Sequence, residues 1–147
     1  MFVDALMLLA DAQAFTATAY STNTIDLGAA TREIGVGEAL ELVVTVDVAG
    51  DRTTGDETYE VQIVQSANAN LSSHDVLVSR AIPVADLAAG KVIRVPLPAG
   101  SVTKRYIGAR LVLAGTTPTI TVTAFIQPAA MASLAVPQSY AKGYTVS

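Results

Sequence analysis

The segment from Tyr106 to Ile126 constrains the fold more than any other part of the chain. Apolar and polar residues alternate up to Ala114, a Gly-Thr-Thr-Pro turn follows, and the alternation then resumes. A period of two is the pattern of a half-buried strand. We therefore predict a β-hairpin in an antiparallel sheet. The residues predicted to face the core are Ile107, Ala109, Leu111 and Leu113 in the first arm, and Ile120, Val122, Ala124 and Ile126 in the second.

Strand patterns recur along the rest of the chain, separated by pieces rich in turn residues. The pattern in residues 39–48 places five apolar residues on one face: Leu40, Leu42, Val44, Val46 and Val48. Further strands are predicted at residues 15–20, 22–27, 59–65, 76–82 and 91–97, and residues 83–89 could form one helical turn. About eight strands with connections of varied length favour an all-β fold, a single jelly-roll-type antiparallel β-sandwich.

The composition favours a non-catalytic protein. The chain has 147 residues, the size of one domain, and it lacks cysteine, so disulfides and thiolate metal sites are excluded. A single histidine and no tryptophan give little material for proton transfer near neutral pH or for stacking bases and sugars. A net charge of −4 argues against general affinity for nucleic acid or anionic membranes. We expect no enzyme activity, no cofactor and no small-molecule substrate.

The charge is divided along the chain. Every acidic residue except Asp86 lies at or before Asp75, whereas only Arg32 and Arg52 among the basic residues precede that position. Two arrangements are compatible with this division. Strands from both halves can interleave so that the charges mix, or the surface can be bipolar and suited to packing against copies of itself or a charged partner.

Two groups of residues were considered for chemistry. His74 precedes Asp75, but no nucleophile motif accompanies it, so a solvated loop histidine is favoured over a hydrolase triad. The loop at residues 50–55 is bracketed by acidic residues that could hold Ca²⁺, although their spacing fits no EF-hand: Asp47, Asp51, Asp56, Glu57 and Glu60. Solvation of a loop by its own charges is favoured, so no metal site is predicted.

The two ends of the chain are predicted to extend from the sandwich. Residues 1–14 form an apolar segment without a basic start, too short to span a bilayer, so no signal peptide is expected and the product should stay where it is made. This segment either covers its own core as an edge strand or short helix, or docks as an arm on a neighbouring chain. Residues 127–147 are rich in Ala, Ser and Pro; such a tail is either disordered alone or extended against a partner. The sandwich itself is predicted at residues 15–126.

Several sequence blocks carry a resemblance to a known family. Residues 3–14, followed by 16–19 and 21–28, resemble the opening of capsid cement (decoration) proteins from tailed bacteriophages. The resemblance continues at residues 105–110 and 115–121, whereas residues 50–98 match only in strand pattern. The opening block is the most distinctive, and it is a packing motif rather than a catalytic one.

The resemblance implies a jelly-roll protein on the outside of an icosahedral head built from an HK97-like major capsid protein. Such a protein would be found in the virion and would clamp neighbouring shell subunits without covalent cross-links. It would also bind itself, most simply as a homodimer and otherwise as a trimer. An apolar segment favours association when it is exposed to water, and the two tyrosines are the aromatic residues of the tail. These features suggest that the following residues contact the partners: Phe2, Val3, Leu6, Leu8 and Leu9 in the first segment, and Tyr140 and Tyr144 in the tail. The alternative is a carbohydrate- or receptor-binding sandwich module, although exposed aromatic platforms are scarce.

Overall fold

The structure, a computed structural model, describes residues 5–28 and 39–129. In these ranges the chain forms nine strands and two short 3₁₀ turns, at Ala5–Met7 and Val84–Asp86. The second turn confirms the helical turn predicted between residues 83 and 89. The strands are β1 (Leu8–Phe15), β2 (Ala19–Tyr20), β3 (Ile25–Asp26), β4 (Leu40–Val48), β5 (Thr58–Ser66), β6 (Asp75–Ala81), β7 (Val92–Pro96), β8 (Tyr106–Ala114) and β9 (Ile120–Pro128).

The strands form two antiparallel sheets that pack face to face. One sheet has the order β1-β9-β4-β7, and the other has the order β2-β8-β5-β6, with β3 also paired to β8. Because β2 and β3 are two pieces of one sheet edge, each sheet has four strand positions. The first strand lies beside the last, and most connections cross between the sheets, the β5–β6 hairpin being an exception, which is the arrangement of a jelly roll. The predicted all-β jelly-roll sandwich is confirmed.

The edge formed by β2 and β3 is shorter than the two strands predicted at residues 15–20 and 22–27. Ser21 interrupts it, because its hydroxyl donates to the carbonyl of Asn23 at 2.9 Å and accepts from the amide of Ala109 at 3.1 Å. A side chain that bonds to the neighbouring backbone in this way competes with the regular ladder. The edge therefore pairs with β8 in two short registers, at Ala19–Tyr20 and at Ile25–Asp26.

The predicted hairpin at residues 106–126 is wrong, although both of its strands are present. β8 pairs with β5 in one sheet, whereas β9 pairs with β1 and β4 in the other. Residues 115–119 therefore cross from sheet to sheet. Alternation shows that each strand buries one face, but it does not show whether two strands lie side by side or opposite each other across a core. Here the two apolar faces meet across the core.

The core lies between the two sheets and is built by the predicted alternating rows. All four predicted residues of β8 and all four of β9 are buried: Ile107, Ala109, Leu111, Leu113, Ile120, Val122, Ala124 and Ile126. In β4, Leu42, Val44 and Val46 are buried, but Val48 is 59% exposed. A register shift between Val46 and Val48 breaks the alternation there, as a bulge does.

The sandwich begins earlier than residue 15. β1 is a strand of the first sheet, paired with β9, and its Leu9 and Phe15 belong to the core. At the other end, β9 continues to Pro128 and the amide of Ala129 donates to the carbonyl of Ala39 at 2.7 Å. The described part of the predicted arm thus includes an edge strand that covers its own core, one of the two interpretations of that segment.

Candidate interaction surface

The predicted contact residues near the start of the chain occupy three different environments. Leu6, in the first 3₁₀ turn, is 82% exposed, and Leu8 is half-buried where β1 pairs with Phe125 of β9. Leu9 is fully buried in the core, so it stabilises the sandwich rather than contacting a partner. The alternation of β1 puts Leu8 and Leu9 on opposite faces. The other predicted contact residues, Phe2, Val3, Tyr140 and Tyr144, lie outside the described residues.

One end of the sandwich, which we name the terminal end, holds the start of β1, the end of β3, the start of β4 and the end of β9. Leu40 pairs with Pro128, at the last residue of β9, and Leu8 pairs with Phe125 of the same strand. Asp26 pairs with Tyr106, the first residue of β8. β8 and β9 run in opposite directions because residues 115–119 join them at the other end, which we name the far end. Positions 5, 28, 39 and 129 therefore all lie at or beside the terminal end.

A loop at the terminal end is anchored by one buried leucine. Leu71, in the loop at residues 67–73, has no exposed surface and has a backbone φ of 61°. Its side chain lies on the face of the second sheet that points away from the core, where a Cβ on Gly108 would overlap it. The absence of a side chain at Gly108 is what lets the loop pack closely on β8.

Hydrogen bonds fix the backbone around Leu71. The hydroxyl of Ser66 donates to the carbonyl of Ser72 at 2.6 Å and accepts from the amide of Asn68 at 3.0 Å. The side chain of Asn70 accepts from the amide of Ser72 at 3.0 Å, and the amide of Leu71 donates to the carbonyl of Asn68 at 3.0 Å. These bonds, together with the buried leucine, give the loop a defined shape.

An open cavity of about 520 Å³ lies against this loop. Short side chains, carboxamides and one aromatic ring line it: Ala67, Asn68, Ala69, Asn70, Ser72 and Tyr106. The guanidinium of Arg105 lies 5.0 Å from the centre of the Tyr106 ring. The cavity therefore offers hydrogen-bonding side chains against a loop whose backbone is fixed. Residues 67–73 are one of the pieces rich in turn residues that separate the predicted strands, and no cavity is predicted there from the sequence, although a glycine inside β8 is a recognised sign of close packing.

Three ion pairs join the acidic and the basic parts of the chain. Among the described residues these are Glu41–Arg94 at 3.0 Å, Asp75–Lys104 at 2.7 Å and Asp26–Arg105 at 2.7 Å. In each pair the acid lies at or before Asp75 and the base follows it in the chain. The interleaving of strands has thus mixed the charges at these places, and the pairs of Lys104 and Arg105 neutralise the surroundings of the cavity.

The pair at Asp26 gives a prediction for pH dependence. Arg105 donates two hydrogen bonds to the Asp26 carboxylate and Gly28 donates a third, which lowers the pKa from 3.8 to about 2. Because the folded pKa lies below the unfolded one, the pair stabilises the fold above about pH 4 and this contribution is lost as the pH falls towards about 2. Both side chains are nearly half exposed, so we expect a small effect on stability.

An NMR titration of the Asp26 carboxyl group should therefore have its midpoint near pH 2. In the Arg105→Gln variant the midpoint should rise towards 3.8, because the largest cause of the shift has been removed. Arg80→Gln, which changes a base on β6 instead, should leave the Asp26 midpoint where it is. A wild-type midpoint near 3.8 would contradict the pairing.

Asp56 and Glu57, two of the acidic residues that could hold calcium, instead accept hydrogen bonds from neighbouring groups near the far end. The Glu57 carboxylate is buried and accepts hydrogen bonds from the Thr54 amide and hydroxyl and from the Gly55 amide. Asp56 accepts from Thr116, which ties this loop to the crossing at residues 115–119. The hydrogen bonds lower the pKa of both carboxyl groups. Within residues 5–28 and 39–129, no group of three acidic or histidine side chains could hold a metal ion.

His74 is less isolated than a solvated loop histidine would be. Its Nδ1 lies 2.7 Å from the hydroxyl of Tyr20, and the two rings meet edge to face. The guanidinium carbon of Arg110 lies over the Tyr20 ring, 5.9 Å from its centre. The contact joins the end of the 67–73 loop to β2. It is a packing contact that sequence reasoning could not detect, since 54 positions separate the two residues.

Comparison with known sequences identifies one family. A family model described as Bbp16 matches residues 9–126, which runs from β1 into β9. A comparison with the curated proteins found no match. In the described part of the chain, no helix is both long and apolar enough to cross a bilayer.

Two solved structures of infectious bursal disease virus proteins are similar to the chain. One, from the Gt strain, is 18% identical with a TM-score of 0.33, over 82% of this chain and 30% of that one. The other, a mutant VP2 protein in derived T=1 particles, is 15% identical with a TM-score of 0.32, over 83% of this chain and 31% of that one. The chain thus spans less than a third of the length of either structure.

Proposed function

The chain belongs to the Bbp16 family, and we propose that it is a capsid cement protein on the outer surface of a virion. In this proposal it binds the major capsid protein and clamps neighbouring shell subunits. The observation that supports it is the terminal end, where the exposed Leu6, the half-buried Leu8 and a preformed cavity lie. A jelly roll can engage a surface at such an end while its sheets remain a closed unit.

The proposed mechanism is multivalent binding. An added strand of four to six backbone hydrogen bonds contributes only a few kcal/mol, because each is worth about 1 kcal/mol net. A homodimer, or otherwise a trimer, would engage several shell subunits at once, and release then requires all contacts to open together. Weak contacts between subunits can in this way resist the pressure of packaged DNA.

The role proposed for Tyr140 and Tyr144 can be tested in the full-length chain. Replacing both by alanine should weaken binding to heads that lack this protein by about 10-fold to 100-fold, since a buried aromatic contact is commonly worth more than 1 kcal/mol. Affinity would be measured by co-sedimentation across a concentration series. The matched control is Gln138→Ala with Thr145→Ala, which changes the same segment without removing a ring and should bind normally.

Two other results decide the proposal. Heads that carry the wild-type chain should resist heating better than bare heads. If the wild-type chain does not sediment with heads at all, the proposed function is wrong. Wild-type binding that the double tyrosine variant fully retains would remove the tyrosines from the interface and leave the function in place. The corresponding test of the first segment should replace Phe2 and Val3, because deleting residues 1–9 would also remove the core side chain of Leu9.

A further inference from the structure

We propose that the cavity against the 67–73 loop is the part of the sandwich that meets the capsid shell, and that its occupant is an uncharged polar loop of a shell subunit. The far end would then point away from the shell. This inference rests on the proposed function and deepens it, because it assigns a contact surface and an orientation to the described residues.

The first argument is the position of the cavity. Tyr106, which lines it, is the first residue of β8 and pairs with Asp26, two residues before the described range ends at Gly28. Leu6 and Leu8, which are proposed to contact the shell, lie at the same end, because Leu8 pairs with Phe125 near the end of β9. A surface that contacts Leu6 and Leu8 therefore also approaches the cavity.

The second argument is that the cavity is preformed. Leu71 is buried under the loop, and the bonds of Ser66 and Asn70 to Ser72 fix the backbone on either side of it. A binding surface that is already ordered loses less conformational entropy on association than one that must become ordered. The loop is thus suited to a role in recognition as well as in folding.

The third argument concerns the chemistry of the occupant. The lining includes Asn68, Asn70 and Ser72, whose side chains carry hydrogen-bonding groups, and within the described part of the chain it includes no charged residue. The nearby charges of Lys104 and Arg105 are already paired with Asp75 and Asp26. Groups that donate and accept hydrogen bonds, without a free charge, are matched by an uncharged polar peptide segment.

The far end offers a different surface. The carboxylates of Asp56 and Glu57 are occupied by bonds within the 51–57 loop and to Thr116. Val84, at this end, is 60% exposed, but single exposed apolar residues are common on protein surfaces. Val84 therefore supplies a matched position for testing which end docks.

The test is a pair of tryptophan substitutions in the full-length chain. Ala69 and Val84 are both exposed, so Ala69→Trp and Val84→Trp should fold with melting temperatures close to that of the wild type. Ala69→Trp fills the cavity and should weaken binding to heads that lack this protein by at least about tenfold, whereas Val84→Trp should change it less than about twofold. The measurement is co-sedimentation with the same heads.

Normal binding of Ala69→Trp, or a larger loss for Val84→Trp, would overturn this inference while wild-type binding kept the proposed function intact. A wild-type chain that ignores heads would overturn both. The cavity could instead serve a glycan: if the wild-type chain binds sugars on an array and Ala69→Trp abolishes that binding while still decorating heads normally, the occupant assigned here is wrong.

Discussion

Replacing Gly115 by alanine is expected to lower the melting temperature by about 10–15 °C. Gly115 opens the crossing between the sheets with a φ of 100°, a conformation that side chains disfavour. A Cβ there would lie 2.6 Å from the carbonyl oxygen of Asp56 and 2.7 Å from the Cα of Glu57. These are backbone atoms, so no side-chain rotation relieves the overlap. Backbone strain and overpacking together cost about 3–5 kcal/mol, at about 3 °C per kcal/mol for a chain of this size.

Gly100→Ala is the matched control for this prediction. Gly100 also has a positive φ, 71°, but a Cβ there would meet nothing within 4 Å. Gly100→Ala should therefore lower the free energy of unfolding by only about 1 kcal/mol, the cost of the backbone conformation. Thermal denaturation followed by circular dichroism measures both variants. If the two variants lower the melting temperature by the same amount, the positive φ alone accounts for the cost, and the close approach to Asp56 and Glu57 does not contribute.

The second large effect concerns the packing of Leu71 on Gly108. Leu71→Ala should cost about 3 kcal/mol, because it removes a fully buried side chain. Gly108→Ala should cost about 1–2 kcal/mol in the wild-type background, since the new methyl group meets the Leu71 side chain. In the Leu71→Ala background the same methyl group enters the vacated space and should be nearly neutral. The double variant should therefore be more stable than the sum of the single changes predicts, by at least about 1 kcal/mol.

Chemical denaturation of the four proteins gives this coupling directly. Val112→Ala, on the same strand but away from the loop, provides the control and should combine with Leu71→Ala additively within about 0.5 kcal/mol. Additive behaviour of Leu71→Ala and Gly108→Ala would contradict the contact. Removing the Leu71 side chain would also loosen the loop that forms the wall of the cavity. Leu71→Ala should therefore not be used to test binding.

The alternation of β8 and β9 was enough to predict both core rows, because a half-buried strand repeats every two residues. It was not enough to predict their pairing, because the same rows suit neighbours in one sheet and partners across the core. Only the structure shows that residues 115–119 cross between the sheets. The bulge that exposes Val48 was equally invisible, since it changes the register without changing the pattern of residue types.

The candidate surface was predicted in part. Leu6 is exposed and Leu8 is half-buried, whereas Leu9 is buried in the core. The sequence could not separate these residues, because an apolar stretch does not show which side chains point inward until the pairing of its strand is known. The cavity depends on Leu71, a single leucine among Asn, Ser and Ala, and on Gly108 at 37 positions' distance in the chain. Its hydrogen bonds are local, but its burial comes from tertiary contact, which residue types alone do not encode.

The pairing of β1 with β9 has a consequence for biosynthesis. Leu8 needs Phe125 as its neighbour, and β2 needs Leu111 and Arg110, so the opening strands have no partners while the ribosome is still making the first hundred or so residues. The nascent polypeptide must keep its aliphatic stretches in solution until β8 and β9 have been translated. We therefore expect the sandwich to fold only after β9 has left the ribosome, with a yield that improves when a holding chaperone is supplied.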